Sequence, residues 1–258
     1  MSGLEAAPLG LLIGLLMGAF GGGGSLLAIP LLIYLVDQSV RQAQATALVI
    51  VIVAALIGLI AYRQSDDVRL RAGAAFGLAA GISALAGSAL SAALDPDVLL
   101  LAFTPLMLAG AAAMVSDAAR RPADFRPWRL GIQLSSAVRV GAYGLLVGWI
   151  IGLFGVGGGF VIVPVLVLGL HFSMSEAVAT SLLVVVIGSG FALSERLIAG
   201  DVVWSVAIPL SLAAGVGALA GRALAGRLDG ERLRRAFAGT IVLAALYTAV
   251  RSATALLD

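Results

Sequence analysis

The chain has 258 residues, of which 61% are hydrophobic and only 12% charged, and its mean hydropathy is +1.10. That composition excludes a soluble globule with an ordinary polar surface, and the lack of cysteine excludes disulfides, thiol redox chemistry and thiolate metal sites. The formal net charge of +2 sits in short loops, where it sets topology and does not point to nucleic acid.

Apolar stretches long enough to cross a bilayer recur from end to end, rich in Leu, Val, Ala and Ile, which predicts helices and not a barrel. The first covers residues 4–36. It has no basic region before it and shares the make-up of the later runs, so it is read as part of the mature protein and not a cleaved signal. As one continuous helix it would run about 50 Å, against a hydrocarbon core of about 30 Å. Its middle reads FGGGGSLLAIP, Phe20 to Pro30, with four consecutive glycines. The chain is therefore expected to break and fold back there. Three more apolar segments follow, at 41–63, 70–94 and 98–116, and then the polar stretch DAARRPADFRPWR.

The second half repeats the first. From Pro30 to Pro164, a shift of 134 positions, Gly14, Gly18, Phe20, Gly21, Gly23 and Gly24 fall on Gly148, Gly152, Phe154, Gly155, Gly157 and Gly158. The same shift lays Ala43, Ala45 and Thr46 on Ala177, Ala179 and Thr180, Asp67 on Asp201, and GISALAGSAL on GVGALAGRAL. Chance similarity of apolar runs would match Leu and Ala, not Gly, Pro, Phe and Asp in register. The expected organisation is a first membrane repeat over 1–118, a cytoplasmic linker over 119–129 and a second membrane repeat over 130–258.

Arginine placement selects a topology. If all eight segments were single crossings, basic loops would divide almost evenly between the two faces, contrary to the positive-inside bias. If the first segment of each half is a hairpin, each half has three full crossings and the second half is inverted. Loops near Arg63–Arg71, Arg120–Arg129 and Arg227–Arg235 then share the cytoplasmic face, with mainly Arg41, Arg196 and Arg251 opposite. The predicted fold class is an all-α integral membrane protein. It has two inverted-topology repeats, each a glycine-broken helical hairpin plus three transmembrane helices, with Trp128 and Trp204 near the interfaces.

Inverted repeats with broken helices are a recurring plan for secondary transporters, with the site at the midplane. Non-helical backbone is tolerated at that depth only inside protein or along a polar cavity, because each unsatisfied amide in lipid costs several kcal/mol. The stretches after the glycines, SLLAIP and FVIVP, are expected to begin new short helices. Their free N–H groups suit an anion, and glycine lets it approach the backbone. The candidate binding residues are Gly22, Gly23, Gly24, Ser25, Thr46, Gly157, Gly158, Gly159, Thr180 and Ser181.

Four adjacent glycines do not improve a packing face over two, so a broken-helix site is favoured at the clusters. Close packing is favoured for the isolated Gly81, Gly87, Gly215 and Gly221. The Thr46, Thr180 and Ser181 hydroxyls fit two uses, donation to an anion or a bond back to the preceding turn's carbonyl. Gln42 and Gln44 are further donors by proximity. Arg139, inside an apolar run, would either bind substrate or extend to the interface, and the structural use is preferred. His171, Glu195 and Arg196 read as interfacial. No catalytic carboxylate pair, nucleophile with its base or metal-ligand set is present, which predicts no enzyme, no metal and no cofactor.

The paired elements GAFGGGGSLLAIPLL with QAQATAL, and GLFGVGGGFVIVPVLVL with SEAVATSLLVV, resemble the TauE/SafE sulfite exporter family, also called TSUP. The likeness covers both halves. It implies a multi-pass permease of the bacterial inner membrane for small sulfur-containing or related organic anions, such as sulfite, sulfoacetate or other sulfonates. By position the family's signature falls on Phe20–Ser25, Pro30 and Thr46, and on Phe154–Gly159, Pro164, Thr180 and Ser181. The copies differ where Gly22 faces Val156 and Ser25 faces Gly159, so the half-sites are not chemically equal.

The leading expectation is alternating access around the two breaks, with a small anionic substrate and lipid contacts; whether a coupling ion, H⁺ or Na⁺, takes part is left open by the sequence. A passive anion channel shares every one of these features. An intramembrane lipid-pyrophosphate phosphatase is the rival from another class, and it lacks its catalytic cluster here. The sequence leaves open the exact substrate, the direction of transport and the oligomeric state.

Overall fold

A computed structural model describes residues 7–91, 105, 108–112, 114–115, 134–154 and 159–255. The elements are α1 (Ala7–Phe20), a 3-10 turn (Gly21–Leu27), α2 (Ala28–Tyr34), α3 (Val40–Tyr62) and α4 (Leu70–Ser91). After these come α5 (Leu134–Phe154), α6 (Gly159–Pro164) with a π turn (Val165–Gly169), α7 (Met174–Ala199), α8 (Trp204–Ala225) and α9 (Gly230–Ala255). Among the described residues there is no strand. Among the described residues, four helices are long and apolar enough to span a membrane: Arg41–Tyr62, Leu70–Leu90, Met174–Ser194 and Trp204–Ala225. The expected fourth segment, 98–116, and the linker, 119–129, lie largely or wholly outside the described residues.

Local sequence explains the helix boundaries. Ser39 opens α3 with a capping box to Gln42, and Ser173 opens α7 with the same device to Glu176. Each serine accepts from the N3 amide while the N3 side chain accepts from the cap amide, so two orphan donors are satisfied. The preceding turns match as well: Asp37 and His171 both have φ of 58°. Asp66 ends the 3-10 turn after α3 with φ of 51°, and Gly200 ends α7 with φ of 72°. The members of each pair stand 134 residues apart.

Packing joins each half to the other through stripes of small residues. On α1, Gly10, Gly14 and Gly18 lie against Leu210, Ala214 and Ala218 of α8. On α5, Gly144, Gly148 and Gly152 lie against Phe76, Ala80 and Ala84 of α4. A Cβ on Gly14 would sit 1.9 Å from the Ala214 carbonyl oxygen, and one on Gly148 would sit 2.1 Å from that of Ala80. In lipid there is little hydrophobic drive between helices, so this backbone approach and its dispersion contacts hold the pairs.

The contacts also give directions. Residue numbers rise together along both pairs, so α1 runs parallel to α8, and α5 to α4. Gly73, Gly77 and Gly81 meet Leu183, Ile187 and Phe191, so α4 runs parallel to α7. Gly58 meets Leu182, and Gln44 bonds Arg196, so α3 runs antiparallel to α7.

Candidate functional site

The first break interrupts the chain between α1 and α2. Phe20 leaves the helical region at ψ of 9°, and Gly21 then takes φ of +66°, a conformation that disfavours any side chain. A Cβ there would also meet Ser181 Oγ at 2.1 Å. The expected short helix after Ser25 starts later, at Ala28, because Gly21–Leu27 winds as a 3-10 turn. The amide of Ala28 bonds the Ser25 carbonyl, so the tighter turn consumes part of the backbone donors expected to be free. Pro30 falls in the first turn of α2, where its missing N–H costs nothing. In the second repeat α5 ends at Phe154 and α6 starts at Gly159, with Gly157 and Gly158 outside the described residues.

The two breaks touch. A Cβ built on Gly159 would lie 1.7 Å from the Gly22 carbonyl oxygen, so backbone packs on backbone there. The Gly22 amide donates to Ser181 Oγ at 3.0 Å, and Ser181 donates onward to the Val178 carbonyl at 2.8 Å. Ser25 Oγ donates to the Gly22 carbonyl at 2.7 Å. Gly22, Ser25, Gly159 and Ser181 therefore form one buried cluster drawn from both repeats. Gly23 faces Phe237 of α9, whose ring would lie 2.3 Å from an added Cβ and which meets Phe20 edge-on at 5.7 Å. Gly24 lies within the same 3-10 turn.

Thr46 and Thr180 are fully buried and serve as matched acceptors. Thr46 Oγ1 accepts from the Val203 amide at 3.3 Å, just before α8, and Thr180 Oγ1 accepts from the Arg69 amide at 3.1 Å, just before α4. Each caps a helix of the other repeat and keeps its own proton to donate. Gln42 belongs to the exposed capping box of α3. Gln44 Oε1 accepts from Arg196 Nη2 at 2.9 Å. Arg139 is exposed on α5. At the opposite end from the Gln44–Arg196 pair, the Arg69 guanidinium pairs with Glu176, and Ser175 donates to Asp67 at 2.8 Å.

Sequence reading did not single out Tyr62, Arg222 or Arg234. The Tyr62 hydroxyl donates to the Gly18 carbonyl at 3.1 Å, and the Arg222 guanidinium lies 4.2 Å from the Tyr62 ring centroid. Arg234 lies one turn before Phe237 on the buried face of α9 and pairs with Glu231. A signal was present: Phe237 matches Phe103 in the repeat, and position 234, at i−3 from it, shares its helix face. Among the described residues, no cluster of three or more His, Asp or Glu is placed to hold a metal ion.

The family model for the sulfite exporter TauE/SafE matches residues 6–248. A probable membrane transporter protein of Xylella fastidiosa (strain Temecula1 / ATCC 700964) is 33% identical over 246 residues, 93% of this chain and 92% of that protein. The probable membrane transporter protein YunE of Bacillus subtilis (strain 168) is 26% identical over 245 residues, covering 87% and 89%. No solved structure matches the chain. The family and these relatives are membrane transporters and not enzymes. With its small-residue helix packing and apolar spans, the chain is a multi-pass membrane protein, and it belongs to the TauE/SafE sulfite exporter family.

Proposed function

We propose that this protein carries a small sulfur oxyanion or organosulfonate across the bacterial inner membrane by alternating access around the two glycine breaks. The observation that carries the reading is the contact of Gly22 with Gly159, which brings both breaks to one buried place beside Ser25 and Ser181. The backbone can be approached closely there, and hydroxyls stand beside it. An oxyanion entering between the breaks would take over donors now bonded within the protein, among them the Gly22 amide and the Ser25 and Ser181 hydroxyls.

The inverted-repeat architecture, with repeats over 1–118 and 130–258, belongs to the same proposal. It is supported by α3 and α7, which are equivalent under the 134-residue shift and run antiparallel. Matched latches stand at the two ends: Arg69–Glu176 with Thr180 at one, Arg196–Gln44 with Thr46 at the other. Opening one set while the other stays closed is the exchange that a carrier needs. A passive channel would need both open together. Counterflow in proteoliposomes tests the reading: unlabelled sulfite inside should accelerate uptake of labelled sulfite. Flux that neither saturates nor responds to the opposite pool would refute the carrier.

A further inference from the structure

The arginines at the α8–α9 end are not alike. Arg232 and Arg235 have side chains 74% and 62% exposed, as residues that only set topology would. The Arg234 side chain is 4% exposed. One side of its guanidinium pairs with Glu231, while Nε and Nη1 are buried without a hydrogen-bond partner among the described residues. Arg222 Nε is likewise buried and unpartnered. Guanidinium stays charged at any physiological pH, so these donors cannot be relieved by losing a proton. A buried cation with idle donors is costly unless an anion or acceptor uses them.

Each arginine is linked to the same end of α1 through a neighbouring ring. Arg222 stacks on Tyr62, which bonds the Gly18 carbonyl. Arg234 shares a helix face with Phe237, whose ring meets Phe20 and Gly23. The first repeat has Ser88 where the second has Arg222, and Leu100 where it has Arg234, so the cationic pair belongs to one side only. We propose that Arg234, with Arg222, forms a cationic subsite that receives the transported oxyanion beside the first glycine break. The idle Nε–H and Nη1–H of Arg234 each offer a charge-assisted bond to an oxygen of a sulfite or sulfonate group, while Glu231 holds Nη2. This deepens the transport reading and rests on it. An anionic lipid headgroup would offer the same oxygens, so the test separates the two sources.

The test uses the full chain as wild type, R234M, R234K, R222M and the control R232Q, each reconstituted in phosphatidylcholine vesicles and also purified in detergent. Sulfite, sulfate and phosphatidylglycerol are the probes, read by labelled sulfite flux and by ligand-induced thermal stabilisation. R234M should raise KM for sulfite by about tenfold or more with kcat changed far less, as loss of a charge-assisted hydrogen bond to substrate predicts. R234K should recover part of that loss, R222M should show a smaller rise, and R232Q should match wild type. Unchanged KM and unchanged sulfite stabilisation in R234M would overturn the subsite, as would stabilisation by phosphatidylglycerol alone. If R234M folds poorly, R234K and R222M decide by the same two readouts. If wild type binds sulfite without moving it, and R234M loses that binding, the subsite stands and the transport reading falls.

Discussion

The amide of Gly22 donates to the hydroxyl of Ser181 at 3.0 Å, so the first break is held by a side chain from the opposite repeat. The equivalent position in the first repeat is Ala47, which shows that alanine fits the helix at that register. Ser181→Ala should therefore act through the lost acceptor and not through packing. A buried N–H left unsatisfied costs about 1–3 kcal/mol. Thermal unfolding in detergent should show that loss, together with weakened sulfite uptake; wild-type stability would mean that the bond adds nothing.

Gly141 and Gly148 lie on the same helix, two turns apart, and should respond differently to the same change. Nothing lies within 4 Å of a Cβ added at Gly141, whereas one at Gly148 would meet the Ala80 carbonyl oxygen at 2.1 Å. Gly141→Ala should leave stability unchanged or slightly raised, since alanine is the better helix former by about 1 kcal/mol. Gly148→Ala must separate α5 from α4 and should cost about 1–3 kcal/mol, the range for overpacked contacts. Thermal unfolding of the two variants side by side checks this.

The latch between Arg69 and Glu176 is partly exposed, at 40% and 21% of the side chains. Its coupling should accordingly be small, about 1 kcal/mol or less. Glu176→Gln keeps the capping box, because glutamine already fills that role at Gln42 in the first repeat. A double-mutant cycle with Arg69→Gln therefore isolates the ion pair. The stability coupling should fall within that limit and the effect on turnover should be larger, because the latch must open in every cycle.

Topology can be read directly, since the chain has no cysteine to remove. Single cysteines at Arg71 and Arg232 should label from the cytoplasmic side, and one at Arg41 from the other; all three positions are exposed. Labelling of Arg71→Cys and Arg232→Cys from opposite sides would contradict the inverted arrangement.

Much of the fold was legible because matched residues recur 134 positions apart. The matched turns at Asp37 and His171, the capping boxes at Ser39 and Ser173, and the paired threonines all follow the shift that Gly, Pro and Phe reveal in the sequence. The breaks were legible because four glycines have no use in a lipid-facing helix. What pattern could not supply was the partner across the repeat. Thr46 and Thr180 accept amides 157 and 111 residues away, and Gly22 finds its acceptor 159 residues away, so their roles come only from packing. The 3-10 winding of Gly21–Leu27 escaped notice for a related reason. Glycine permits a break without dictating its geometry, and Gly159 and Phe237 pack against this one. Arg234 was hidden among arginines that look alike in sequence and differ only in burial.

If the paired breaks form a path for sulfur oxyanions, flux in proteoliposomes will reveal it. Labelled sulfite, sulfate, an organosulfonate and a carboxylate should be compared at matched concentration, with and without a pH gradient. Flux of sulfite or the sulfonate should be saturable, inhibited by the other and well above that of the carboxylate. Absence of flux for every sulfur anion, or equal flux for the carboxylate, would contradict it.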